Sequence, residues 1–87
     1  MAGTLYLVVA LRRPDFNTQA IPAHVAFLEG LRAAGHLQLT GGFSDSSGGA
    51  YVLCNVGSLE EARAIVARDP LVMMETSDLT VHEWITR

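Results

Sequence analysis

His24 and Asp69 are of the types, and in the places, to move a proton. A histidine exchanges its proton near neutral pH, and a carboxylate beside it fixes the tautomer and stabilises the imidazolium. His24 follows Pro22-Ala23 in the first turn of a predicted helix, whose N-terminus favours the neutral ring. A neutral, oriented imidazole is a usable general base. Asp69 stands before Pro70 at the end of a second predicted helix. Both residues also have a structural reading. Asp69 suits the N-cap of a turn over residues 71–75, and His24 shares its helix face with Leu28 and Leu31.

Other candidates surround this pair. Arg12 and Arg13 suit a substrate carboxylate, or are solvated loop charge. Gly41-Gly42 permits close backbone approach or an anion-binding nest, although a strand end explains it equally well. Ser44, Ser46 and Ser47 are turn formers first, and no Gly-x-Ser-x-Gly elbow is present. The expected site is therefore His24 and Asp69 as the catalytic pair, with Arg12, Gly41, Gly42 and Ser44 toward the substrate. No metal and no cofactor are expected, because three scattered histidines and one cysteine do not make a zinc site. Cys54 is expected inside the sheet and unreactive. His82 and Trp84 share one face of the last strand and suit an interface or surface.

The elements that must position these residues follow from periodicity. Residues 4–11 (TLYLVVAL) are apolar at almost every position, as in a central strand covered on both faces. Residues 12–17, broken by Pro14, form a loop. Residues 22–34 read as a helix: Pro22 fits its first turn, Phe27, Leu28, Leu31 and Ala34 recur at helical spacing, and Gly35 supplies a left-handed stop. Residues 37–43 and 50–56 read as a hairpin about the turn 44–49, with Leu37, Leu39 and Gly41 on one side. Ser58 and Glu61 make a capping box for a helix over 59–68, which Asp69-Pro70 ends. Residues 79–86 alternate as a last strand.

The order βαββαβ is the ferredoxin-like pattern of an α+β domain, with antiparallel strands in the order 4-1-3-2 and both helices on one face. With the first strand drawn upward, Arg12, Arg13, His24, the glycine-rich turn and Asp69 gather at one end. Gly35, His36 and Gly57 lie at the other. The helix-free face has no cover within one chain, although the central strands are apolar on both sides. A homodimer through that face is the expected solution.

Composition excludes several classes. The 87 residues suit a single domain, 1–87, and 49% are hydrophobic, rich for so small a body. The net charge is −3, with six arginines and no lysine, against nucleic acid, Schiff-base chemistry and a P-loop. No basic leader precedes the first strand, and no apolar stretch approaches a membrane span of about 20 residues. With a single cysteine, the expected location is cytoplasmic.

Several short segments together resemble the YCII-related family: Pro22-Ala23-His24-Val25, Leu31 with Gly35-His36-Leu37, Thr40-Gly41-Gly42, Ser58-Leu59-Glu60-Glu61-Ala62, Asp69-Pro70 and a last strand ending in Trp84. They fall in order along nearly the whole chain. The resemblance implies a dimeric α+β barrel built from two ferredoxin-like sheets, with a His/Asp pair in a cleft, here His24 and Asp69. It also implies acid/base chemistry such as elimination or isomerisation. The chain departs from the family at Gly41-Gly42, where Gly-Pro is common, and at Ala33-Ala34, where many members carry an acidic residue. Two functions are compatible with this reading. One is a cofactor-independent lyase or isomerase acting on a small aromatic or unsaturated carbonyl acid, with Arg12 and the glycine turn as a cradle. The other is a non-catalytic small-molecule-binding or accessory module using the same cleft.

Overall fold

The computed structural model describes residues 3–87. Met1, where the expectation of a strand without a leader begins, lies outside the described residues, as does Ala2. Seven elements follow in order: β1 (Thr4–Arg12), α1 (Ala20–Ala33), β2 (Leu37–Gly42), β3 (Gly48–Leu53), α2 (Leu59–Val66), α3 (Pro70–Met73) and β4 (Ser77–Ile85). Among the described residues no helix is long and apolar enough to cross a membrane.

The helix ends show why the chain breaks where it does. Helix α1 opens at Gln19, so Pro22 still lies in the first turn, where backbone N–H groups lack an intrahelical acceptor. It closes at Gly35, whose φ of 80° is left-handed, and the His36 N–H donates to the Leu31 carbonyl at 2.8 Å. Ser58 Oγ accepts from the Glu61 N–H at 3.1 Å, and Glu61 Oε2 accepts from the Gly57 N–H at 2.8 Å, which starts α2. That helix stops at Val66, short of the expected 68, and the chain turns into α3 at Asp69-Pro70.

The four strands form one antiparallel sheet in the order β2-β3-β1-β4. The helices cover the face that carries Tyr6, Val8, Tyr51 and Leu53, which pack with Leu28 and Leu31 of α1 and Ala62 and Val66 of α2. Leu5, Leu7, Val9 and Leu11 point to the other face.

Three expectations are corrected. The dimeric α+β barrel is not found: the sheet is open, with β2 and β4 as its edges. Closure would require those edges to pair, and β3 and β1 lie between them. A side-chain-filled barrel takes about eight strands, and here the helices cover one face of a four-stranded sheet instead. Second, Leu37 and Leu39 do not share a face. The β2–β3 register shifts between them, so Leu37 is buried and Leu39 exposed. A bulge reverses the alternation that follows it. Third, Cys54 lies just past the end of β3, half-buried, with its Sγ 3.4 Å from the Gly35 carbonyl oxygen.

Candidate functional site

A row of minimal side chains crosses the helix-covered face. Ala10 stands opposite Gly49, and Gly49 opposite Gly42. The next row along is Val8, Tyr51 and Thr40. The absence of volume in the first row leaves a cavity of about 240 Å³ above the sheet, roofed by Ile21, His24 and Leu28 of α1. Backbone geometry makes two of its glycines obligatory. A Cβ on Gly49 would lie 2.5 Å from the Gly41 carbonyl oxygen, and one on Gly48, whose φ is 152°, would run into the Ala10 carbonyl. The glycines thus close the sheet tightly and hollow its surface at once.

Asp69 anchors the polar part of the site and is fully buried. Its Oδ1 accepts from the Leu71 N–H at 2.9 Å, capping α3, and lies 2.9 Å from His24 Nδ1. Its Oδ2 accepts from the Tyr51 hydroxyl at 2.8 Å. The capping role and the histidine contact therefore coexist in one carboxylate. With Leu71 and Tyr51 donating, Nδ1 completes the set as a third donor. That tautomer leaves Nε2 as the basic nitrogen, and Nε2 has no hydrogen-bond partner among the described residues. The His24 side chain is 18% exposed and borders the cavity. Because α1 begins at Ala20, His24 sits in its second turn, beyond the first turn where the dipole acts most strongly. The carboxylate, not the helix end, is its main electrostatic neighbour.

Tyr51 is held protonated. Burial raises its phenol far above the ordinary tyrosine value, and the Asp69 charge and hydrogen bond add to that. Its ring lies 5.8 Å from the His24 ring, centre to centre. Tyr51 thus acts as a fixed donor and a wall.

The other expected residues divide. Arg12 borders the cavity at its polar edge, its guanidinium carbon 4.3 Å from the centre of the Phe16 ring. Gly41 and Gly42 also border it. Ser44 is exposed in the hairpin loop and does not. Arg13 turns away to Asp78, with Nη2 to Oδ1 at 3.0 Å. Gly48 and Gly49 of the expected glycine cradle line the cavity, whereas sequence reasoning missed Tyr51, Thr40, Phe16 and Ser77, which line it too. Strand alternation carried the signal for Tyr51, which shares a face with Gly49 and Leu53. For Ser77 it was the same alternation, extended back from Val81 through Leu79. Among the described residues no group of three or more His, Cys, Asp or Glu side chains is arranged to hold a metal ion.

The chain matches the YCII-related domain over residues 4–85 and belongs to that family. It is 44% identical over 79 residues to the protein YjpA of Bacillus subtilis strain 168, covering 91% of this chain and 92% of that one. Among solved structures it resembles the 5-chloro-2-hydroxyhydroquinone dehydrochlorinase of Burkholderia phenoliruptrix AC1100, in complex with 2,5-dihydroxybenzoquinone. There the TM-score is 0.74 at 23% identity, covering 92% of both chains, a likeness of fold.

Proposed function

We propose that this YCII-related domain is a small cofactor-independent enzyme of the lyase or isomerase type, with His24 as its general acid/base. The observation that carries the reading is the buried Asp69, which accepts from Tyr51 and Leu71 and meets Nδ1 of the cavity-lining His24 at 2.9 Å, leaving Nε2 as the unengaged basic nitrogen. Nε2 takes a proton from the substrate, and Asp69 stabilises the imidazolium that forms. The released electron pair drives departure of a group from a conjugated position, or returns to a different carbon as the imidazolium gives the proton back. Substrates that delocalise such a pair are small oxygenated rings and unsaturated carbonyl acids. A cavity of about 240 Å³, mostly apolar with few polar groups, suits them in size and character. Arg12, with the backbone at Gly41 and Gly42, meets the anionic end. The dehydrochlorinase of similar fold is named for chemistry of this class and is in complex with an oxygenated ring.

The test is chloride release from 5-chloro-2-hydroxyhydroquinone by wild type and His24→Asn. Wild type is expected to release chloride, and His24→Asn to slow release by about 10²–10⁴-fold, with its fold intact by circular dichroism. Equal rates in the two proteins overturn the role of His24. Saturable binding of 2,5-dihydroxybenzoquinone without release favours the non-catalytic module.

The same reading includes a homodimer formed through the helix-free face. Leu11, Leu39 and Trp84 are 49%, 67% and 47% exposed there, beside the half-buried Leu5, Leu7 and Val9. Sedimentation at micromolar concentration is expected to give twice the chain mass, and a folded monomer there overturns it. With Cys54 unpaired, the cytoplasm is the compartment that fits, and residues 1–87 act as one domain.

A further inference from the structure

Three hydroxyl side chains border the cavity, and two of them are engaged within the protein. Tyr51 donates to Asp69 at 2.8 Å, and Thr40 Oγ1 donates to the Ala50 carbonyl at 3.4 Å. The third, Ser77, is 4% exposed, and its Oγ is the one buried side-chain polar atom without a hydrogen-bond partner among the described residues. Buried hydroxyls are rarely left so. Ser77 opens β4 opposite Arg12, on the helix-covered face. Its cavity neighbours Ala10 and Leu71 are buried and apolar, and offer no side-chain partner.

We propose that Ser77 Oγ is the hydrogen-bonding partner of an oxygen substituent on the bound ligand, and so a specificity-determining residue. The inference rests on the cavity being the ligand site, as proposed above, and adds what the ligand must carry. A serine hydroxyl both donates and accepts, so it matches a ring carbonyl or a ring hydroxyl equally. His24 addresses the position that loses a proton. Ser77 addresses a second oxygen, toward β4. The ligand class is therefore a ring or enone with at least two oxygenated positions. A ligand that offers only hydrocarbon to Ser77 leaves the hydroxyl buried and unpaired, and the site discriminates against it for that reason.

The test is titration of the full chain with 2,5-dihydroxybenzoquinone, followed by absorbance, for wild type, Ser77→Ala and Ser77→Thr, with a thermal melt of each. Ser77→Ala is expected to raise Kd about tenfold, while Ser77→Thr, which keeps the hydroxyl, stays within about threefold of wild type. The Tm of Ser77→Ala is expected to be unchanged or higher, since the unpaired hydroxyl is gone. Equal Kd in wild type and Ser77→Ala, with a lowered Tm, overturns this inference alone and makes the hydroxyl structural. Absence of saturable binding by wild type overturns it together with the reading of the cavity.

Discussion

The two ends of the helix-covered face are built on the same strands and under the same helices, yet one is filled and the other hollow. At the filled end Leu28, Leu31, Leu37, Leu53, Ala62 and Val66 pack with Tyr6 and Val8 into one cluster. At the hollow end the buried apolar residues reduce to Ala10, Ala20 and Leu71, with Phe16 and Leu79 against them. The difference is side-chain volume, set by the row Ala10, Gly49 and Gly42 against the row Tyr6 and Leu53. The buried polar residues are Asp69, Thr76 and Ser77, and the first two bond the backbone of Leu71 at the hollow end. Close packing stabilises one end and leaves no room. The other end trades contact area for a space beside which His24, Asp69 and Tyr51 hold one another.

The largest effect is expected where the hollow end depends on a single group. Asp69→Ala removes the acceptor of Tyr51, His24 and the Leu71 N–H together. A loss of about 3–5 kcal/mol is expected on denaturant unfolding, because three donors lose their acceptor at once, at about 1–3 kcal/mol for each that stays buried and unpaired. A loss below about 1 kcal/mol, within the ordinary range for a cap alone, would reduce Asp69 to a capping residue. The filled end answers to volume instead. Leu53→Ala is expected to cost about 2–5 kcal/mol in the same assay, with 2,5-dihydroxybenzoquinone binding unchanged. Coupled loss of binding would show that the two ends are one mechanical unit.

Tyr51→Phe probes the join between the ends, because Tyr51 belongs to the filled cluster and donates to Asp69. It is expected to cost about 1–3 kcal/mol, the penalty for a buried acceptor left short of a donor. The pH dependence has a definite sign. Burial first, then the Asp69 charge and hydrogen bond, raise the Tyr51 phenol in the folded chain. The folded state therefore keeps a proton that the unfolded chain releases above its ordinary value of about 10. This contribution is complete below that value and is lost as pH rises beyond it. The stability gap between wild type and Tyr51→Phe should narrow above pH 10, by at most about 1.4 kcal/mol per pH unit. A gap constant from pH 8 to 11 would remove the phenol from the account.

The smallest effect is expected at Gly42. A Cβ there meets only the Gly48 carbonyl oxygen, at an ordinary 3.8 Å. Gly42→Ala is expected to stabilise by about 0.4–1 kcal/mol through the unfolded chain, while narrowing the cavity and weakening 2,5-dihydroxybenzoquinone binding. A destabilised variant would mean that the hollow end, too, is closely packed.

Part of this arrangement was open to reading along the chain. The order of elements, the Ser58–Glu61 box and the Gly35 stop depend on neighbours a few residues apart, and periodicity reports such relations directly. The antiparallel order then brings the start of α1 and the end of α2 to one end of the sheet, which is how His24 and Asp69 were legible as a pair 45 residues apart. What the chain alone left open was whether Asp69 caps or meets His24, and it does both, because Oδ1 takes the Leu71 N–H and His24 Nδ1 while Oδ2 takes the Tyr51 hydroxyl.

Cross-strand register was not open to reading in that way. The shift between Leu37 and Leu39 decides that Thr40 and Gly42, rather than Gly41, join Tyr51 and Gly49 on the helix-covered face, and one residue of slip would exchange them. The unengaged hydroxyl of Ser77 exists only once β4 starts at that residue and the fold buries it beside the cavity that Ala10 and Leu71 also line. The open sheet in place of a barrel is likewise a matter of which edges meet, and edges are far apart in sequence. Local preference and order along the chain determined the elements and the end of the sheet to which they bring the polar residues. Only non-local pairing, which sets the side each residue faces and what lies opposite it, decided that the end is hollow and which polar atoms there are left without a partner.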